Sequence, residues 1–127
     1  MAKILSVVDT AYRGTLEEQD DTSLWLTAAC KNAGADMTVL LTGNAVNYAV
    51  KTQEASGLTF GRAKISHPAN ATDDLSRMIG KGVNVFLLRE DAQERGIDPS
   101  SFVAGIEPMS RAGLAKFVSQ FDLIWHW

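Results

Sequence analysis

The amino-acid sequence predicts an α/β fold: a single doubly wound, mainly parallel sheet of four to five strands flanked by helices. Two observations carry that expectation. Residues 83–88 form a near-continuous apolar run in which only Asn84 is polar, the pattern of a strand covered on both faces. Runs of this kind alternate with stretches of helical periodicity about 10–13 residues long, the signature of βαβ units. The chain's 127 residues suit one domain, 1–127.

Each element has a local reason. Lys3-Ile4-Leu5-Ser6-Val7-Val8 reads as the first strand, with Asp9 at its carboxyl end. A loop holding Tyr12, Arg13 and Gly14 leads to an acidic run of Glu17, Glu18, Asp20 and Asp21, whose charge suits the amino end of a helix. That helix is expected over about 21–33, with Gly34 as its cap. Leu26, Ala29, Cys30 and Ala33 fall on one helical face, expected to meet the core. Residues 37–41 form a second strand, and Thr42-Gly43-Asn44 a strand-to-helix turn. The helix after it fades near Gly57. Residues 58–71 read as an irregular connection with a short strand at Lys64-Ile65. Thr72 is the expected cap of a helix burying Leu75, Met78 and Ile79 and ending at Gly80. The strand at 83–88 then passes into a short charged helix ending at Gly96. Residues 102–106 suit a short strand or a turn. Pro108 precedes a helix capped by Ser110 and carrying Leu114, Phe117, Val118 and Phe121 on one face. Residues 123–127 close as a strand with Leu123, Trp125 and Trp127 on one side.

Composition narrows the function classes. Apolar residues at 46% and charged residues at 21% suit a globular chain rather than a disordered one. A net charge of −3 offers no basic footprint, so no nucleic-acid partner is expected. No apolar run approaches the roughly 20 residues needed to span a bilayer. The first apolar segment ends at Asp9 and reads as a strand rather than a signal peptide. Cys30 is the only cysteine, which excludes an intrachain disulfide. The expectation is a cytoplasmic protein without membrane, cofactor or metal.

Open parallel sheets gather ligands at the carboxyl ends of their strands. There the sequence places Asp9, Asn44, Arg89 and Asp91, the candidate ligand-binding residues, with Glu90 among them. Neighbouring acids suit general acid–base work, or simply a charged helix start. Thr42-Gly43-Asn44 suits an anion, or simply a turn. Cys30 is the one candidate catalytic thiol, but a mid-helix position on an apolar face suits a core residue. His67 and His126 have no acid or thiol at metal-ligand spacing. Trp125, His126 and Trp127 are candidate interface residues, since aromatics are enriched at subunit contacts.

The order of motifs resembles the DsrE/DsrF-like family, which includes the TusD and TusC subunits of bacterial sulfur relay. The likeness rests on the opening strand, Gly34-Ala35-Asp36 leading into Met37-Thr38-Val39-Leu40-Leu41, and Gly43-Asn44-Ala45-Val46. It continues through Gly82-Val83-Asn84-Val85, Glu94-Arg95-Gly96-Ile97 and the final Asp122-Leu123-Ile124. The resemblance implies assembly as trimers or hexamers, a homo-oligomer or a hetero-oligomer with related subunits. It also implies that the cysteine carrying a persulfide in sulfur-carrying members falls at about Leu88, and a second cysteine near Asp91. The expected function is therefore a non-catalytic structural, binding or regulatory subunit tied to sulfur relay or sulfur metabolism. The alternatives are a sulfurtransferase using Cys30, and a small-ligand or nucleotide-binding domain at the strand ends.

Overall fold

The computed structural model describes residues 1–11, 22–53, 57–65 and 70–127. In chain order its elements are β1 (Lys3–Val8), α1 (Thr22–Asn32), β2 (Asp36–Leu41), a 3-10 helix at Gly43–Ala49, β3 (Leu58–Phe60), β4 (Ala63–Ile65), α2 (Ala71–Gly80), β5 (Asn84–Leu88), α3 (Arg89–Glu94), β6 (Glu107–Met109), α4 (Leu114–Val118) and β7 (Leu123–His126). Tyr12, Arg13, Gly14, the acidic run at 17–21 and His67 lie outside the described residues.

Five strands form one sheet in the order β6-β5-β2-β1-β7, and every pairing in it is parallel. This is the mainly parallel α/β sheet that the apolar runs predict. From β1 to β2, β5 and β6 the chain steps in one direction. Right-handed crossovers therefore put those connections on one face, and the long return from β6 to β7 on the other. The register agrees. Ser6 pairs with Val39, which pairs with Val85. On that side Val8, Val39, Leu41, Val85 and Leu87 join Leu24, Tyr48, Leu75 and Ala92 in one buried core. The opposite side carries Leu5, Leu40, Phe86 and Leu88, and α4 reaches it through Phe117, whose ring lies 4.8 Å from Phe86. β2, central and buried over five of its six positions, is the fully covered strand.

Helix α1 departs from expectation. The face carrying Leu26, Ala29 and Cys30 is half-buried and Ala33 is exposed, while Ser23, Leu24 and Thr27 form the buried stripe. Two of those three are polar, so apolar spacing does not reveal them. They tolerate burial because they are hydrogen-bonded. The Thr27 hydroxyl donates to the Ser23 carbonyl at 2.9 Å and lies 3.3 Å from Ser6 Oγ, which accepts from Trp127 Nε1 at 3.2 Å.

Other elements shift for equally local reasons. Asn70, not Thr72, caps α2 by accepting from the Asp73 N–H at 3.1 Å. The Thr72 hydroxyl instead donates to the Val50 carbonyl at 3.0 Å, tying α2 to the exit of the 3-10 helix. That helix ends at Ala49 rather than running toward Gly57, because its exit pairs elsewhere: the Val103 N–H donates to the Ala49 carbonyl at 2.7 Å, and Val50 bridges Phe102. β4 contains the expected Lys64-Ile65 strand, and its antiparallel partner β3 goes unforeseen. Residues 102–106 form a turn, and the strand follows it as β6, with Pro108 inside. An edge position tolerates a proline that cannot donate to the ladder. The helix expected from Ser110 onward narrows to a 3-10 turn at Arg111–Gly113 and the five residues of α4. Ser110 makes no side-chain cap bond.

These placements set a stability contrast on α1. Leu24→Ala should cost about 2–5 kcal/mol, as for a fully buried leucine. Cys30→Ala on the half-buried side should cost about 1 kcal/mol or less. Urea denaturation of the two variants measures the difference.

Candidate functional site

Because the five strands are parallel, all their carboxyl ends meet at one edge. Asp9 follows β1 there, Thr42-Gly43-Asn44 follows β2, residues 89–91 follow β5, Arg111 lies just beyond β6, and Trp127 follows β7. Asp91 is the hub. It is 8% exposed, yet one oxygen accepts from the Gly43 N–H at 2.7 Å and the other from Arg111 Nη2 at 2.6 Å. A carboxylate this buried needs such partners. Arg95, one helical turn on, donates from Nη1 to the Asp91 carbonyl and from Nη2 to Asn44 Oδ1, both at 3.0 Å.

Asp9 closes the other flank. Its Oδ1 accepts from the Thr42 hydroxyl at 3.0 Å, its carbonyl accepts from the Ala45 N–H at 3.3 Å, and its N–H donates to the Trp127 carbonyl at 2.9 Å. Gly43 has φ +51, and a Cβ there would stand 2.3 Å from Asp9 Oδ1. Only glycine fits that turn without displacing the carboxylate. Glu90 accepts from the Arg111 N–H at 2.8 Å. Hydrogen bonds from its own backbone N–H first, and from that of Arg111 next, hold its carboxyl below the usual glutamate value, with the Arg111 and Arg89 charges adding to them.

Asp9, Asn44 and Asp91 thus lie in one network, as their positions at strand ends predict. Arg89 is exposed and contributes through charge alone. Arg95 and Arg111 are the members the sequence reading missed. Arg95 leaves a trace, standing four residues after Asp91 on a predicted helix. Arg111 leaves none, since its approach depends on β6.

The remaining candidates sit apart. α1 runs back from the carboxyl edge, and the backbone carbonyl of Cys30 in its last turn accepts from the Ala35 N–H at 3.0 Å just before β2 begins. Cys30 therefore lies toward the amino edge of the sheet. Leu88, the position the resemblance assigns to the persulfide cysteine, is 4% exposed. It ends β5 on the side that α4 covers. Trp127 packs against the core with its indole tied to Ser6, and its ring meets Trp125 edge-on at 6.4 Å. His126 is exposed. Among the described residues, no group of three or more His, Cys, Asp or Glu side chains is placed to hold a metal ion.

Two outcomes test this network. Asp91→Ala strips the Gly43 N–H of its acceptor and Arg111 of its counter-ion, and should lower stability by about 1–3 kcal/mol in chemical denaturation. Glu90, with its folded-state pKa depressed, contributes stability that is complete above the ordinary glutamate value and is lost as pH falls through the lowered one. Its carboxyl carbon should titrate by NMR below the ordinary glutamate value.

Comparison with known proteins agrees with this architecture. The sequence matches the DsrE/DsrF-like family over residues 5–125. Among solved structures, the fold is similar to that of the YchN protein from E. coli, with a TM-score of 0.78 and 23% identity over 100% of both chains. It is also similar to MTH1491, a protein of unknown function from Methanobacterium thermoautotrophicum, with a TM-score of 0.64 and 16% identity over 98% of this chain and 99% of that one. Comparison with curated proteins gives no significant match. No helix among the described residues is long and apolar enough to cross a membrane. With the family match running from within β1 to within β7, the chain belongs to the DsrE/DsrF-like family.

Proposed function

We propose that this chain is a non-catalytic, cytoplasmic subunit of a DsrE-like oligomer that works in sulfur relay or sulfur metabolism through structure and binding rather than by carrying sulfur. The observation that carries this reading is the occupancy of the carboxyl edge. Where sulfur-carrying relatives are expected to present a thiol, this chain has buried Leu88 and an Asp91 carboxylate whose two oxygens are both engaged. Asp91 held this way braces three strand ends and is not a free base. Cys30, at the opposite edge, is remote from that network.

Assembly draws support from the unequal edges of the sheet. β6 protects its edge by brevity, Glu107 and Pro108. β7 presents Leu123-Ile124-Trp125-His126 without a proline or a fixed charge, and Leu123 and Ile124 are 51% and 49% exposed. An edge with apolar side chains half exposed on both faces is an interaction surface. A contact there with another copy or a related subunit involves Trp125, His126 and Trp127. In that contact Trp127 acts as the inner anchor and His126 lies on the outside.

Two measurements test the two halves of the reading. After incubation with a sulfane-sulfur donor, intact-mass spectrometry of the folded protein should show no added sulfur, and a stable persulfide on Cys30 would overturn the non-catalytic role. By light scattering the protein should have a multiple of the protomer mass. Ile124→Asp, which charges an exposed position without touching the core, should yield folded species of lower mass. An Ile124→Asp protein of unchanged mass removes this edge from the interface.

A further inference from the structure

The amino edge of the sheet holds a cavity of about 320 Å³ that the carboxyl-edge network does not use. Its volume lies at the lower end of the range for small-molecule sites. On its floor are side chains from the second face of the sheet, and α4 and the turn after it supply one wall. Phe86, Phe117 and Phe121 make that wall aromatic, with ring centroids 4.8 and 5.2 Å apart in edge-on contacts.

The polar lining has an unusual property. Lys3 and Asp36 stand directly opposite each other on β1 and β2, yet no ion pair joins them, and neither side chain has another polar partner among the described residues. Thr38, on the same face of β2, is 6% exposed, and its hydroxyl likewise has no partner among the described residues. The Thr38 hydroxyl is therefore free to bond whatever enters the cavity. Here a cation, an anion and a hydroxyl line one cavity beside an aromatic wall.

We infer that this cavity binds a small zwitterion bearing an aromatic or apolar group, of the free α-amino acid class. Neighbouring strands lie roughly 4.8 Å apart, so Lys3 and Asp36 reach the two charges of one compact head group together. The ligand's carboxylate goes to the Lys3 ammonium and its ammonium to the Asp36 carboxylate. The Thr38 hydroxyl takes the remaining hydrogen bond, and the ligand side chain packs against Phe117 and Phe121. This inference is independent of the non-catalytic role proposed above, since the two sites lie at opposite edges.

Calorimetry with three probes tests it on the unaltered protein: L-phenylalanine, phenethylamine, which lacks the carboxylate, and 3-phenylpropionate, which lacks the ammonium. L-phenylalanine should bind saturably, and each single-charge analogue about tenfold or more weaker, as expected for loss of one charged hydrogen bond. Asp36→Asn should abolish the preference for L-phenylalanine over 3-phenylpropionate, and Lys3→Met the preference over phenethylamine. Both changes are at exposed side chains, and circular dichroism checks that the fold persists. Absence of saturable heat with L-phenylalanine overturns the inference. So does equal binding of the three probes, or a preference that survives both substitutions.

Discussion

The carboxylate of Asp91 is the joint on which the carboxyl edge depends. It sits on α3, immediately after β5, and bonds the turn after β2 through Gly43 and the segment after β6 through Arg111. Three strand ends are therefore registered by one buried side chain. The arrangement constrains its neighbours in turn. Gly43 must bring its N–H to Asp91 while leaving room for Asp9, which a residue with a Cβ at φ +51 does not. Arg95 then braces the backbone of Asp91 against Asn44. Each of these groups is held in place by the others.

The two edges of the sheet differ because the two faces do. Every connection but the last crosses the first face, and together they bury it continuously. The second face depends on the single return from β6 to β7. A helix of five residues spans only about 7–8 Å, too little to cover five strands. Leu5, Leu40 and Leu88 are buried on that face, and space remains at the amino end of β2 and β5. Concavity at that end is thus a by-product of connectivity, and the polar residues lining it come from the first positions of strands whose later positions are core.

Legibility in the sequence followed the range of the interactions involved. Strands with continuous apolar runs, at 3–8, 37–41 and 83–88, were readable because burial on both faces leaves a local mark. That Asp9, Asn44 and Asp91 lie at one edge was readable for a topological reason: in a parallel sheet, whatever follows a strand joins the same edge. The buried stripe of α1 was not readable, because Thr27 finds a hydrogen-bond partner only in Ser6, itself bonded by Trp127, from far away in the chain. β6 was hidden by Pro108, which reads as a breaker until the strand is known to be an edge. Arg111 was hidden with it.

The position of β7 beside β1 has a kinetic consequence. The Asp122 carboxylate accepts from the Lys3 N–H at 2.8 Å across a sequence separation of 119, so the last strand made is the lateral neighbour of the first. During synthesis the outer side of β1 stays open, with unpaired backbone groups and an apolar flank, until β7 has emerged. Closing so long a loop carries a large entropic cost that no local contact repays. The pairings of β1 with β2 and of β2 with β5 involve shorter loops and form the nucleus on this account. Docking of β7, reported by the Trp127 indole as it leaves water for Ser6, becomes the late step on this account.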